Sequence, residues 1–182
     1  IGSGEVKDLI IVGAGDTSRE ILQIAKDINR ASPMWNIEGF IADEGLDISQ
    51  LTNGEYDIVG TIEHCVPKEN EVFVCAIATP WRRERVVNQL KAVGAVFISL
   101  IHPTARLNDY CELGEGVVMY PYSSVGSNAR LGNFVFLQRT DVAHDVSVGD
   151  FTTISSLCGI LGRVSLGKRV FIATHATLVP DI

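Results

Sequence analysis

A histidine beside an aspartate, His144-Asp145, is the pair of residues in this chain best suited to acid–base chemistry. A neutral imidazole can take up a proton near neutral pH, and an adjacent carboxylate can hold its tautomer. Gly162 lies 18 positions further on, and its backbone N–H could stabilise an oxyanion if it lies beside the histidine. A solvent-exposed histidine at a corner of the fold is the alternative interpretation of the same residues.

A six-residue period in the second half of the chain predicts that His144 and Gly162 are close in space. From Ile101 onward an aliphatic residue recurs at every sixth position, except for one five-residue step between Leu137 and Val142. This period fits neither a helix nor a simple alternating strand and is typical of a parallel β-helix of hexapeptide repeats. Three hexapeptides form one triangular coil, so residues 18 apart stack on one another at a spacing of about 4.8 Å.

The five-residue step falls just before His144, and we expect the corner of the coil beside the histidine to be rebuilt there. The fourth residue after each aliphatic position is small or β-branched, and Asp141 is the exception. The last coil stops at Pro180-Asp181-Ile182 without a polar cap. Because solenoid ends normally need a cap, we expect further coils or a neighbouring subunit to cover this end.

The first half of the chain alternates between apolar strands and amphipathic helices. Strands are predicted at Leu9–Gly13, Ile37–Ile41, Asp57–Thr61, Val72–Ile77 and Val96–Leu100, and helices at Arg19–Ile28, capped by Ser18, and at Arg82–Val93. This alternation predicts a parallel sheet with right-handed crossovers. Because the pattern changes at Ile101-His102-Pro103, we predict a Rossmann-like βαβ domain over residues 1–100 and a β-helix over residues 101–182.

The loop from Gly13 to Ser18 joins the first strand to the first helix, where a phosphate can bind at a helix N-terminus. The candidate substrate-binding residues are Gly13, Gly15, Thr17 and Asp43, the last because an acid after the second strand can bind a ribose hydroxyl. Ser18 replaces the third glycine of the dinucleotide fingerprint, and Asp16 would place a carboxylate near any phosphate. A tight turn and an ordinary turn aspartate are therefore the alternative interpretation.

Composition and charge exclude several classes of protein. The formal net charge of −7 argues against a nucleic-acid partner, and no apolar run approaches the ~18 residues of a membrane span. The N-terminus has no secretory signal pattern, and the four scattered cysteines are predicted to be buried thiols in a reducing, cytoplasmic environment. We expect no metal site, because His102, His144 and His175 do not share a column of the β-helix.

The Gly-x-Gly unit, the Ile-His-Pro junction, the hexapeptides and the Val-Ala-His-Asp segment together resemble the bacterial sugar O-/N-acetyltransferases of the NeuD/PglD type. This resemblance implies a left-handed β-helix, a homotrimer, acetyl-CoA in the groove between neighbouring subunits, and a first domain that holds a nucleotide-linked sugar. By matching position, it implies His144 as the general base, Asp145 as its acidic neighbour and Gly162 as the donor to the thioester carbonyl. Ala173 and Thr174 are implied contacts of the pantetheine arm.

The chain also departs from that family. Asp16-Thr17-Ser18 replaces the last three residues of the family's Gly-x-Gly-Gly-His-Gly loop, and Thr153 stands where some aminosugar enzymes carry a second histidine. The prediction is therefore acetyl-CoA-dependent transfer to an amino or hydroxyl group of a sugar, with the acceptor left open. Two alternatives remain: a noncatalytic trimeric protein that binds a nucleotide sugar, and an acyltransferase with another donor or acceptor.

Overall fold

The structure is a computed structural model of the 182-residue chain and describes residues 6–48 and 52–182. The chain divides into two compact units. The first unit runs up to Ile77 and also includes Arg82–Ile98, and the second contains Ala78–Trp81 and Ser99–Ile182. In the described ranges, no helix is both long enough and apolar enough to cross a membrane.

The first unit is built on a parallel sheet. Its strands are β1 (Lys7–Val12), β2 (Trp35–Ala42), β3 (Ile58–Thr61) and β4 (Glu71–Cys75). Its helices include α1 (Asp16–Ala31) and α2 (Pro80–Ala92), the latter from Arg82 onward. The strand order is β3-β2-β1-β4, and every pair is parallel. The central strand β1 is apolar and buried from Leu9 to Val12, as expected for a parallel strand covered on both faces. The predicted Rossmann-like sheet is confirmed.

The boundaries differ from prediction at two places. Helix α1 begins at Asp16 with Gly15 at its N-cap, so the prediction that Ser18 caps the helix is wrong. Ser18 is instead buried in the first turn, where its hydroxyl donates a 2.8 Å hydrogen bond to the carbonyl of Gly13. The predicted strand at Val96–Leu100 is reduced to a single bridge between Phe97 and Phe73, because the chain then leaves this sheet for the β-helix.

The second unit contains a left-handed parallel β-helix made of two-residue strands. They are Leu100–Ile101 (β5), Arg106–Leu107 (β6), Glu112–Leu113 (β7), Val118–Met119 (β8), Ser124–Val125 (β9), Arg130–Leu131 (β10), Phe136–Leu137 (β11), Asp141–Val142 (β12), Ser147–Val148 (β13), Thr153–Ile154 (β14), Gly159–Ile160 (β15), Ser165–Leu166 (β16), Phe171–Ile172 (β17) and Thr177–Leu178 (β18). They form three sheets: sheet I (β5, β8, β11, β14, β17), sheet II (β6, β9, β12, β15, β18) and sheet III (β7, β10, β13, β16). The predicted hexapeptide fold is confirmed.

The aliphatic series of the sequence lines the interior of the β-helix. Val125, Leu137, Val142, Ile154 and Ile160 are all almost fully buried and pack in one hydrophobic cluster. The small residues in the fifth place of each hexapeptide, such as Ala129 and Val135, fill the same interior because a triangular coil leaves little room beside its corners. The series therefore stabilises the coil from inside, while the intervening positions point outward.

From Tyr110 onward, each corner of the β-helix is turned by a residue in the left-handed backbone region. These residues, with φ between +47° and +65°, are Tyr110, Gly116, Tyr122, Asn128, Phe134, Arg139, Asp145, Phe151, Leu157, Arg163, Arg169, His175 and Asp181. The corner between a strand of sheet I and the next strand, in sheet II, is named corner I–II. The corner between a strand of sheet II and the next strand, in sheet III, is named corner II–III. At Gly116 a side chain is excluded, because an added Cβ would lie 2.3 Å from the ring of Phe134.

The five-residue step removes one residue from corner I–II. Arg139 turns the corner one position early, with φ +47°, so Thr140 rather than Asp141 takes the inward place. Thr140 is buried, and its hydroxyl donates a 2.7 Å hydrogen bond to the carbonyl of Cys158 in the next coil. The expectation that the corner beside His144 is rebuilt is wrong, because His144 lies on the following corner, which has the regular six-residue form.

We expect Thr140→Val to destabilise the β-helix, because the substitution keeps the side-chain shape but removes the buried hydrogen bond to the next coil. The free energy of unfolding should fall by about 1–3 kcal/mol. Urea denaturation at a fixed protein concentration measures this change. The matched control is Thr177→Val, an exposed threonine on β18, which should change stability by less than about 0.5 kcal/mol. Equal losses in the two variants would contradict the role given to the Thr140 hydroxyl.

Candidate active site

His144 and Asp145 lie together on corner II–III, directly after β12. The backbone of this corner is bonded to the coils on both sides: the N–H of Asp145 donates to the carbonyl of Ser127 (3.0 Å), and the carbonyl of His144 accepts from the N–H of Arg163 (3.2 Å). Asp145 has φ +61°, a region that aspartate tolerates better than most residues. The two side chains are therefore presented on a backbone that is fixed from above and below.

The imidazole of His144 is hydrogen-bonded to the carboxylate of Asp145. The His144 Nδ1 to Asp145 Oδ2 distance is 2.7 Å, and both side chains are about half exposed. When Nδ1 carries the proton and donates to the carboxylate, Nε2 keeps a free lone pair that can accept a proton. The hydrogen bond from His144, and after it one from Asn128, holds the pKa of Asp145 below its usual range; the charge of Arg163 adds to this effect.

Gly162 is stacked against the imidazole from the next coil, as the 18-residue spacing predicts. A Cβ at Gly162 would lie 2.8 Å from Nε2 and 2.7 Å from Cε1 of His144, so a side chain here would displace the imidazole. The residue is buried, and no carbonyl in the described ranges accepts a hydrogen bond from its N–H. A hydrogen-bond donor and a candidate base are thus adjacent, which is the arrangement that acyl transfer requires.

A line of polar residues runs along corner II–III beside the histidine, which the sequence reasoning missed. Asn128 Nδ2 lies 3.2 Å from Asp145 Oδ1, and Arg163 in the following coil makes a bidentate ion pair with Asp181 at 2.6 and 3.0 Å. That pair raises the pKa of Arg163 and lowers that of Asp181. The same coil-to-coil count that led to Gly162 would have led to these residues if it had been applied to Asp145.

Ala173 and Thr174 lie away from His144 within one chain. They are exposed residues just after β17 in sheet I, at corner I–II, whereas His144 and Gly162 follow strands of sheet II. The two sets therefore belong to different corners of the triangular coil.

The loop residues of the first unit lie at the carboxyl ends of β1 and β2. Gly13 has φ +110° and donates to the carbonyl of Ile41 (2.8 Å), while Gly15 has no atom within 4 Å of where a Cβ would stand. Thr17 is half-buried in the first turn of α1. The loop therefore leaves open space at Gly15 that a ligand could occupy.

Asp43 follows β2 and forms an ion pair with Arg82 at the start of α2. It borders a cleft of about 310 Å³ at the same edge of the sheet, where Thr61, Arg85 and Gln89 also contribute polar groups. His64 also lies in this cleft and is exposed. The edge of a parallel sheet at the carboxyl ends of its strands is the usual place for a ligand in such a fold.

Thr153 and the cysteines offer no further chemistry in the structure. Thr153 is completely buried on β14, and its hydroxyl donates to the carbonyl of Ala78 (2.9 Å). The four cysteines are free, but only Cys75 and Cys158 are buried; burial raises the pKa of the Cys75 thiol to about 11. Among the described residues, no group of three or more His, Cys, Asp or Glu side chains could hold a metal ion.

Comparisons with known proteins agree with this architecture. Residues 8–90 match the PglD N-terminal domain family. GDP-perosamine N-acetyltransferase of Escherichia coli O157:H7 is 25% identical over 172 residues, which cover 92% of this chain and 76% of that protein. The acetyltransferase domain of PglB from Neisseria gonorrhoeae FA1090, solved also with acetyl coenzyme A, superposes with a TM-score of 0.77 at 19% identity, over 97% of this chain and 93% of that domain.

PerB from Caulobacter crescentus, solved in complex with CoA and GDP-perosamine, has the same fold. It superposes with a TM-score of 0.64 at 13% identity and covers 98% of this chain and 94% of its own. At such low identities the solved structures establish the fold of this chain. The order of its two units is thus shared with proteins that bind CoA.

We expect His144→Ala to raise the pKa of the Asp145 carboxyl, because the hydrogen bond from His144 is the largest cause of its depression. Because the pKa of Asp145 is lower in the folded state, the hydrogen bond between His144 and Asp145 stabilises the fold at neutral pH. This stabilisation is lost as the pH falls through the folded-state pKa of Asp145. Carbon-13 NMR titration of the Asp145 carboxyl measures the change. His175→Ala, on corner I–II, is the control and should leave the titration unaltered. An unchanged Asp145 titration in His144→Ala would show that the two side chains are not bonded in solution.

Proposed function

We propose that the chain is a sugar acetyltransferase of the NeuD/PglD type that transfers the acetyl group of acetyl-CoA to an amino group of a nucleotide-linked sugar, with His144 as general base. The observation that carries this proposal is the stacking of the His144 imidazole on Gly162. That contact joins a proton acceptor and a backbone N–H donor at one point on the surface. An amino acceptor is favoured over a hydroxyl because the curated relative is an N-acetyltransferase.

The proposed reaction is a direct transfer. The amine nitrogen attacks the thioester carbon while His144 Nε2 removes its proton, and the Gly162 N–H stabilises the oxyanion that develops on the carbonyl oxygen. The tetrahedral species then collapses: the carbon–sulfur bond breaks, the amide remains, and the proton on His144 passes to the sulfur of CoA. Asp145 stabilises the imidazolium in between, since it accepts the Nδ1 hydrogen bond throughout.

The donor site is proposed to be shared between two subunits of a homotrimer. Ala173 and Thr174 are exposed on corner I–II, and His144 and Gly162 are on corner II–III. Packing of corner II–III of one subunit beside corner I–II of its neighbour would line a single groove with both sets. In this arrangement Gly162 meets the acetyl group and the neighbouring Ala173 and Thr174 hold the pantetheine arm.

The first unit is proposed to bind the nucleotide part of the acceptor. Gly13, Gly15 and Thr17 offer a strand-to-helix loop, and the open space at Gly15 lets a phosphate approach the backbone. Asp43 is proposed to bind a ribose hydroxyl with the carboxylate oxygen that is not engaged by Arg82. Two solved proteins of this fold carry GDP-perosamine or acetyl coenzyme A, which supports a nucleotide sugar as one substrate and a CoA thioester as the other.

We expect His144→Ala to lower kcat by about 10²–10⁴-fold, because a positioned general base contributes that much to such a reaction. Asp145→Asn should cost less, since Asp145 only orients and stabilises the imidazole. Release of the CoA thiol is followed with acetyl-CoA against GDP-, UDP- and dTDP-linked amino sugars. Asn88→Ala, at an exposed position of α2 that lines neither proposed site, serves as the control. Full turnover by His144→Ala with the acceptor that the screen identifies would disprove the assignment of the base.

We expect two inactive variants to restore activity when they are mixed, if the donor site spans two subunits. His144→Ala removes the base, and Thr174→Trp fills the groove at an exposed position on the other corner. In randomly reassembled trimers about a quarter of the sites pair an intact His144 with an intact Thr174 of the neighbour. Thiol release after co-refolding the variants measures this recovery. If mixing restores nothing while the separate variants form trimers by sedimentation, the shared site is wrong.

A further inference from the structure

The Asp145 carboxylate is held by a different partner at each of its two oxygens. Oδ2 is 2.7 Å from His144 Nδ1, and Oδ1 is 3.2 Å from the side-chain amide of Asn128. A carboxylate bonded at one oxygen can rotate about its terminal bond, but one that is bonded at both oxygens has its plane fixed. The orientation of the imidazole therefore depends on a residue that does not touch it.

Asn128 reaches Asp145 because both turn the same corner of successive coils. Each occupies the left-handed place of its hexapeptide, with φ +58° at Asn128 and +61° at Asp145. Between them, the carbonyl of Ser127 accepts the N–H of Asp145 and holds the two corners in register. The backbone hydrogen bonds that stack the coils therefore also place the Asn128 amide beside the Asp145 carboxylate.

Arg163 completes the surroundings of Asp145 from the opposite side. It occupies the same place one coil further on, and its guanidinium is held away from the carboxylate by the bidentate pair with Asp181. The groups that face Asp145 are therefore His144, Asn128 and Arg163. Because the Arg163 guanidinium is bonded to Asp181, it is Asn128 that donates the hydrogen bond to Asp145 Oδ1. Arg163 affects Asp145 only through its charge.

We propose that Asn128 is a positioning residue for the reaction: it fixes the plane of the Asp145 carboxylate and thereby aims His144 Nε2 at the space beside Gly162. This inference rests on the proposed function, because it needs His144 to be the base. It predicts a defect in the chemical step rather than in substrate binding, since Asn128 acts through Asp145. A general base is effective only when its nitrogen is held within hydrogen-bond reach of the proton that it removes.

The alternative role for Asn128 is a conformational one, because asparagine favours the left-handed region that this corner requires. Two substitutions separate the roles. Asn128→Gly keeps the freedom to adopt a positive φ and removes only the side-chain amide. Asn128→Asp keeps a side chain of the same shape but presents a second carboxylate to Asp145, which repels it and raises its pKa.

Kinetics of these variants give the first test. Asn128→Gly should lower kcat about five-fold with KM for both substrates unchanged, the size expected from the loss of one solvent-exposed hydrogen bond. Asn128→Asp should lower kcat further. Tyr110→Gly, at the same place of the coil below Asn128 and exposed to solvent, is the matched control and should retain the unmodified kcat.

The decisive measurement is a double-mutant cycle with Asp145→Asn. If Asn128 acts through Asp145, the pair Asn128→Gly with Asp145→Asn should be no slower than Asp145→Asn alone. Fully additive losses would overturn the proposal and assign Asn128 a conformational role. So would a normal kcat in Asn128→Gly when His144→Ala is inactive. An active His144→Ala instead removes the proposed base itself, which distinguishes the failure of the proposed function from the failure of this inference.

A readout that needs no substrate completes the test. In carbon-13 NMR titrations the Asp145 carboxyl should have a higher pKa in both Asn128 variants than in the unmodified protein, because a hydrogen bond that favours its ionised form has been removed. Tyr110→Gly should leave the titration as it is. An unchanged Asp145 pKa in both variants would show that the Asn128 amide does not reach the carboxylate and would also overturn the proposal.

Discussion

Backbone hydrogen bonding between successive coils is the constraint on which the second unit depends. Each two-residue strand bonds to the strands of the adjacent coils, and even the corner residues take part, as the Asp145 N–H does with Ser127. The aliphatic interior then fills a channel of constant cross-section. Since every coil repeats the same geometry, a side chain at one place in a hexapeptide has fixed neighbours in the coils on either side.

The candidate site follows directly from that regularity. His144 comes from one coil, Gly162 from the next and Asn128 from the one before, so no long loop is needed to assemble the group. Rigid strands on either side fix the corner that carries the functional atoms, as a reaction that depends on sub-ångström placement requires. The same regularity keeps Ala173 and Thr174 on another corner, and for this reason the proposed donor site needs two subunits.

The sequence predicted what depends on periodicity and missed what depends on local backbone angles or on tertiary partners. The stacking of Gly162 on His144 could be predicted because the coil length is constant between these two residues. The coil count places Asn128 next to Asp145, 17 residues away across the short step, but whether the two side chains bond depends on their rotamers, which periodicity does not specify. In the first unit, Ser18 was predicted to be the N-cap of α1, but Gly15 occupies the N-cap position. No sequence pattern predicted the ion pair between Arg82 and Asp43.

The short hexapeptide also bears on how a repetitive chain finds its register while it folds. Coils with the same pattern can stack with a segment displaced by one whole coil and still bury aliphatic residues. The segment from Leu137 to Val142 differs from every other hexapeptide, since only its corner closes one residue early around Thr140. If this corner instead took the regular six-residue form, Asp141 would occupy the inward place and its carboxylate would be buried, at a cost in desolvation. The short corner thus favours the one register in which the later aliphatic residues all point inward.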